Sequence, residues 1–225
     1  SPNPTSYMKN PLLTSNPFAS LNDSEIQYIS GLELNNVSSE YLANKVQDIM
    51  TAKMKGLCFS PFENRQKPGY YISESQIKNR LETIQPYSEW IRMFSSTDGH
   101  ENIPKLAKEV GLKTISGAWI NENMEKNKEE IQNLIDNVNK GYVDIAVVGN
   151  ECLLNGTCNE EELIALINQV KQSITVDVPV STVDVYYELM QRPNLVDTCD
   201  MILANAYPFW EGSPAKHAGL YLKKS

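Results

Sequence analysis

From Met54 onward the chain alternates short apolar runs with stretches of helical periodicity. Gly56–Phe62 precedes a helical pattern over Glu74–Gln85, Trp90–Ser95 precedes Ile103–Val110, and Thr114–Ile120 precedes Glu129–Asn139. Asp144–Val148 then precedes Glu160–Gln172, Pro179–Tyr186 precedes Tyr187–Arg192 with a short turn, and Met201–Tyr207 precedes Pro214–Leu222. The apolar runs are apolar nearly throughout instead of alternating, the pattern of strands covered on both faces. The intervening stretches place apolar residues on one stripe, as Ile131, Leu134, Ile135 and Val138 do. Gly111 and Gly141 stand where helices end.

Six strand–helix units of about 28 residues each fit a parallel sheet built from right-handed crossovers. Such a sheet is either open and doubly wound or closed into a barrel. No glycine-rich phosphate loop follows the first strand, where an open nucleotide-binding sheet would place one. Instead, polar and aromatic residues gather at the carboxyl ends of the strands: Ser60 and Phe62, Ser95 and Ser96, Trp119, Asn150 and Glu151, Asp184 and Tyr186, Asn205 and Tyr207. A barrel assembles its site from those ends. The expected fold is therefore α/β, a (β/α)8 TIM-barrel type that is incomplete, with about six units over 54–225. Residues 1–53 form an N-terminal extension. Within it, a proline-rich arm (1–24) is pinned by Tyr7, Leu12, Leu13 and Phe18, Glu25–Leu34 is a candidate strand, and Ser38 and Ser39 cap a helix through Tyr41, Leu42, Val46, Ile49 and Met50.

Composition narrows the function classes. With 41% hydrophobic residues, 21% charged residues and no long like-charge run among 225 residues, global disorder is excluded. A net charge of −8 argues against a protein that tracks nucleic-acid phosphates. No apolar stretch is long enough for a membrane span. The opening Ser-Pro-Asn-Pro-Thr carries no charged segment followed by an apolar one, so no signal peptide is expected there. Two histidines, no Cys-x-x-Cys and no nucleophile elbow leave little room for a metal site or a serine triad, and no cofactor is expected.

Val147-Val148-Gly149-Asn150-Glu151 is the most informative segment: an apolar strand ending in a small residue, an amide and a carboxylate. Glu151 is placed to give a proton to a leaving oxygen, with Asn150 beside it to bond a sugar hydroxyl; the alternative is that Glu151 only caps the next loop. Trp119, Tyr186, Tyr207, Phe209 and Trp210 fall at the same ends of the third, fifth and sixth expected strands, and their flat faces suit the C–H faces of pyranose rings. Arg92, inside an apolar run, is a structural ion-pair partner, a fixed donor aimed into the site, or both. Asp98-Gly99-His100 reads as a turn that sets His100 beside the cleft. Cys58 and Cys199 fall at expected buried positions, whereas Cys152 and Cys158 bracket the loop after Glu151 and can bridge in a secreted protein. Asn22, Asn36 and Asn155 head Asn-x-Ser/Thr sequences, which are compatible with secretion.

These motifs resemble glycoside hydrolase family 17. The resemblance rests on Gly56–Phe62, Trp90–Ser95, Val148–Glu151, Val183-Asp184-Val185-Tyr186-Tyr187-Glu188 and Ala204–Gly212, in that order, over about Lys55 to Leu222. It implies a (β/α)8 barrel and retaining hydrolysis or transglycosylation of β-1,3-glucan at a cell wall or outside the cell, with Glu151 at the acid/base position. It also implies that Tyr207, Phe209 and Trp210 lie in the cleft; Arg92, Trp119, Asn150, Asp184 and Tyr186, by their places at or near strand ends, are the further expected substrate contacts. The family's second glutamate, in a Glu-Thr-Gly-Trp-Pro-like motif after a seventh strand, has no counterpart here; Asp184, Glu188, Glu211 and Glu33 are carboxylates of other positions. Three readings follow: a β-1,3-glucan hydrolase or transferase, a non-catalytic glucan-binding relative, or a part of a barrel completed by a further segment or partner chain.

Overall fold

The computed structural model describes residues 38–207, and the chain divides into two compact units, 46–204 and 1–45 with 205–225. The arm over 1–24, the candidate strand at Glu25–Leu34, the helix expected at Pro214–Leu222, and Glu33, Phe209, Trp210 and Glu211 lie outside the described residues. Helix α1 (Ser39–Ala52) begins where Ser38 Oγ accepts the Tyr41 N–H at 3.1 Å, the capping expected from the serines.

From there strands and α-helices alternate: β1 (Met54–Cys58), α2 (Glu74–Ile84), β2 (Ser88–Met93), α3 (Ile103–Glu109), β3 (Lys113–Ala118), α4 (Met124–Asn139) and β4 (Ile145–Asn150), with short 3-10 turns at Gln85–Tyr87 and His100–Asn102. Then come α5 (Glu160–Ser173), β5 (Val180–Val185), α6 (Tyr186–Met190), α7 (Pro193–Thr198) and β6 (Leu203–Asn205). The sheet runs β1-β2-β3-β4-β5-β6 in sequence order, and the first five strands pair in parallel. A doubly wound sheet reverses its order at a switch point; this one never does, so it curls as a half-barrel.

Two apolar clusters hold helices to the sheet. One packs Ile131, Leu134, Ile135 and Val138 of α4 and Leu163, Ile167 and Val170 of α5 against Ala146, Val148 and Val180. The other joins Ile77 and Leu81 of α2, Ile91 and Met93 of β2, and Ile103, Leu106 and Ala107 of α3. Burying each such side chain contributes about 1.5–3 kcal/mol.

Several element boundaries differ from the expected ones. α4 starts at Met124, not Glu129, because Asn123 caps it by accepting the Lys126 N–H; its first turn, Met-Glu-Lys-Asn, has an exposed methionine as its one apolar residue and gives no periodic signal. Pro193–Thr198 is a helix where a turn was expected, with Pro193 pre-set for its first position. β1 ends at Cys58, so Phe59–Phe62 belongs to the following loop. Among the described residues β1 ends the sheet with one neighbour, β2, and is only partly covered. Cys58 is accordingly exposed, contrary to expectation, and Cys199 is half-buried against the α4–α5 cluster.

Candidate active site

The site is built where strands end. β4 leaves regular geometry at its carboxyl end: its pairing with β5 shifts between Val147 and Asn150, a bulge that brings Asn150 opposite Val183. Gly149 has φ 77° and Glu151 φ 53°. A Cβ on residue 149 would lie 3.0 Å from Cys152 Sγ and 3.3 Å from Leu163, so glycine is required there on two counts. A positive φ at a glutamate is uncommon and is held by the surroundings. Here the Glu151 N–H donates to Val183 C=O at 2.8 Å, and the loop that follows closes through the Cys152–Cys158 disulfide, as the cysteine spacing allowed. Bulges of this kind re-aim side chains beside functional sites.

Asn150 and Arg92 meet across the sheet. Arg92 Nη2 donates to Asn150 Oδ1 at 2.5 Å, and the guanidinium lies over the Phe94 ring, 4.6 Å from its centroid. A guanidinium is donor-only, so it fixes the amide with its oxygen toward Arg92 and its NH2 presented as a donor. Arg92 is thus a cation half-buried against an aromatic ring that also orients a strand-end amide.

Next to this pair, a cavity of about 500 Å3 opens at the ends of β1, β2 and β3, walled by Phe62, Phe94 and Trp119 and reaching Cys58, His100 and Glu130. His100 packs edge-on to Phe62, with its Nδ1 2.9 Å from Thr97 C=O, beside the cleft as expected but buried. Trp119 is 40% exposed, enough to offer a face to a ligand. Tyr186 and Tyr187 stack edge to face at the end of β5, their centroids 5.4 Å apart.

Glu130, which sequence reasoning missed, ties these ends together. It is buried on α4 and accepts four hydrogen bonds: Ser95 Oγ at 2.6 Å and Thr97 Oγ1 at 2.7 Å on one oxygen, the Ser96 N–H at 2.6 Å and the Trp119 N–H at 3.0 Å on the other. One carboxylate thus joins the ends of β2 and β3 to a helix. Its sequence signal was faint: a glutamate among other polar residues of an amphipathic stretch.

Asp184, expected as a sugar contact, is fully buried instead. Its Oδ2 accepts the Leu153 N–H at 3.1 Å and its Oδ1 the Val185 N–H at 2.8 Å, so it props the loop behind Glu151. Burial pushes its carboxyl up from 3.8 to about 6, against the lowering effect of the Val185, Leu153 and Leu154 N–H groups, with the Glu188 charge adding to the rise. Glu188 itself pairs at 2.5 Å with Arg192, just past the end of α6. Tyr207, 37% exposed, belongs to the other compact unit.

Comparison with known proteins bears on what this site does. Residues 56–225 match the family model described as the BtgE/BtgC glycoside hydrolase domain. The chain is 22% identical to a glucan 1,3-beta-glucosidase of Saccharomyces cerevisiae over 68% of its length and 54% of that protein. It is 23% identical to the cell surface mannoprotein MP65 of Candida albicans over 70% of its length and 42% of that protein. The chain thus spans about half the length of the curated relatives it matches. Its fold is like that of the glycoside hydrolase family 17 beta-1,3-glucanosyltransferase of Rhizomucor miehei, with a TM-score of 0.65 and 24% identity over 77% of this chain and 65% of that one.

Three outcomes are expected. Glu130→Gln keeps one oxygen for the two backbone N–H groups and turns its NH2 to hydroxyls able to accept, so stability changes little. Glu130→Leu orphans the buried Ser96 N–H and the part-buried Trp119 N–H and costs roughly 1–4 kcal/mol by urea denaturation. For Asp184, the folded protein holds its proton to higher pH than the unfolded chain. The group therefore costs stability above about pH 6, and the cost is relieved as pH falls from about 6 toward 3.8. Asp184→Asn abolishes that relief: between pH 7 and 4.5 the parent gains about 2 kcal/mol relative to the variant. Parallel stability curves for parent and variant would contradict this.

Proposed function

Because the chain belongs to the BtgE/BtgC glycoside hydrolase domain family, we propose that it carries the acid/base half of a retaining β-1,3-glucan hydrolase or transferase, with Glu151 as the proton donor. The observation that carries this reading is the strand end itself: a bulged β4 turning Asn150 and Glu151 at its carboxyl end, with Asn150 fixed by Arg92 and an aromatic-walled cavity alongside.

In this reading a glucan chain lies along the strand ends with pyranose faces on Trp119 and its aromatic neighbours. Glu151 protonates the glycosidic oxygen as the bond breaks and charge builds on the ring as in an oxocarbenium ion. Asn150, its NH2 presented by Arg92, bonds a sugar hydroxyl. A retaining mechanism also needs a second carboxyl group about 5–5.5 Å away. Among the described residues of the site, Asp184 is committed to the loop and Glu188 to Arg192, so neither is assigned that role. The substrate class is supported by the related transferase solved with laminaritriose. The place of action, secreted or at the cell wall, is supported by the cell-surface relative and by the disulfide beside the site.

Reducing-sugar release and transfer products from laminarin-type glucan test the assignment. Glu151→Gln is expected to lower turnover at least about 100-fold, the lower range for a general acid, while laminari-oligosaccharide binding is retained. Undiminished turnover removes Glu151 from the mechanism, and absence of laminari-oligosaccharide binding by the parent chain removes the glucan reading.

A further inference from the structure

The tip of the loop behind Glu151 has no part in the reading above. It carries Asn155-Gly156-Thr157, an Asn-x-Thr acceptor sequence. We propose that Asn155 is a modification site bearing an N-linked glycan. Asn155 and Gly156 are exposed at the tip of a turn, Gly156 has φ 67°, and the Asn155 N–H donates to Glu151 C=O at 2.9 Å. The tip is displayed by a ring closed through Cys152 and Cys158, whose Cα atoms are 5.5 Å apart. A structural disulfide marks an oxidising compartment, where acceptor asparagines are also modified. Sequence, exposure and redox setting therefore converge on one side chain.

The chemistry is an N-glycosyl transfer from a lipid-linked, pyrophosphate-activated oligosaccharide. The Asn155 amide nitrogen attacks the anomeric carbon, a C–N bond forms, the bond to the pyrophosphate oxygen breaks, and the nitrogen loses a proton. The lipid pyrophosphate leaves with the bonding electrons. The fold also sets the order of events. Thr157 Oγ1 turns inward toward Cys152 C=O at 3.4 Å and Ile120 C=O at 3.5 Å, so the folded ring no longer presents the threonine hydroxyl together with the asparagine amide on an extended segment. Transfer thus precedes ring closure, and the finished glycan stands one turn of chain from Glu151. The inference does not depend on the catalytic role of Glu151, so either can fail alone.

The test is secretion of the full chain from a yeast host, together with a second glycoprotein of known occupancy. Peptide mapping after peptide-N-glycosidase treatment converts an occupied Asn155 to aspartate. The expected result is occupancy of most Asn155, with a gel shift lost in Asn155→Gln, a substitution at an exposed tip that leaves the packing intact. The double variant Cys152→Ser/Cys158→Ser, measured in total cell protein in case it is retained, is expected to show equal or higher occupancy. An unmodified Asn155 while the second glycoprotein is occupied overturns the site. Lower occupancy in the double variant overturns the order of events.

Discussion

The arrangement of the strand ends depends on a buried carboxylate. Glu130 brings one negative group beneath the ends of β2 and β3 and gives it four donors, two backbone N–H groups and two hydroxyls. A buried carboxylate is costly unless its lone pairs are filled; here they are filled by the residues whose positions matter, Ser95 to Thr97 and Trp119. The same bonds satisfy backbone groups that leave the sheet ladder where the strands stop. Helix, loop and aromatic wall are thereby set against one another, and the cavity between them has a defined shape.

The second constraint is on β4. Its bulge and the positive φ angles of Gly149 and Glu151 are backbone conformations that a strand does not adopt unaided. They are held by the Val183 carbonyl, by Asp184 under the loop and by the Cys152–Cys158 closure. Strain at the strand end is thus supported by a buried acid behind it, whose carboxyl burial pushes up to about 6.

Much of this was legible in the chain. The alternation of apolar runs and helical stripes gave six units in order, and the sequential sheet follows from it. Val147–Glu151, Arg92 and Trp119 stood out because an amide, two charges and a large aromatic are unusual at the ends of buried strands. What was not legible depends on partners distant in sequence. Glu130 looks like any solvated helix residue until Ser95, 35 positions away, and its neighbours are brought to it. Asp184 ends a strand as a ligand-binding acid would, but the loop after Glu151 folds over it. Cys58 sits in an apolar run, yet its strand has a neighbour on one side only among the described residues. Pattern gives the periodicity of an element; it does not give what will cover it.

The proposal on which the functional reading rests is that β-1,3-glucan binds at the strand-end cleft of the unit formed by residues 46–204. Its most direct test is an NMR titration of the chain with laminari-oligosaccharides, following the Trp119 indole and the Asn150 side-chain amide. The account predicts that these two signals shift together, saturate at one concentration, and move first among the assigned resonances. Saturable binding that leaves both unmoved while signals elsewhere shift would contradict it.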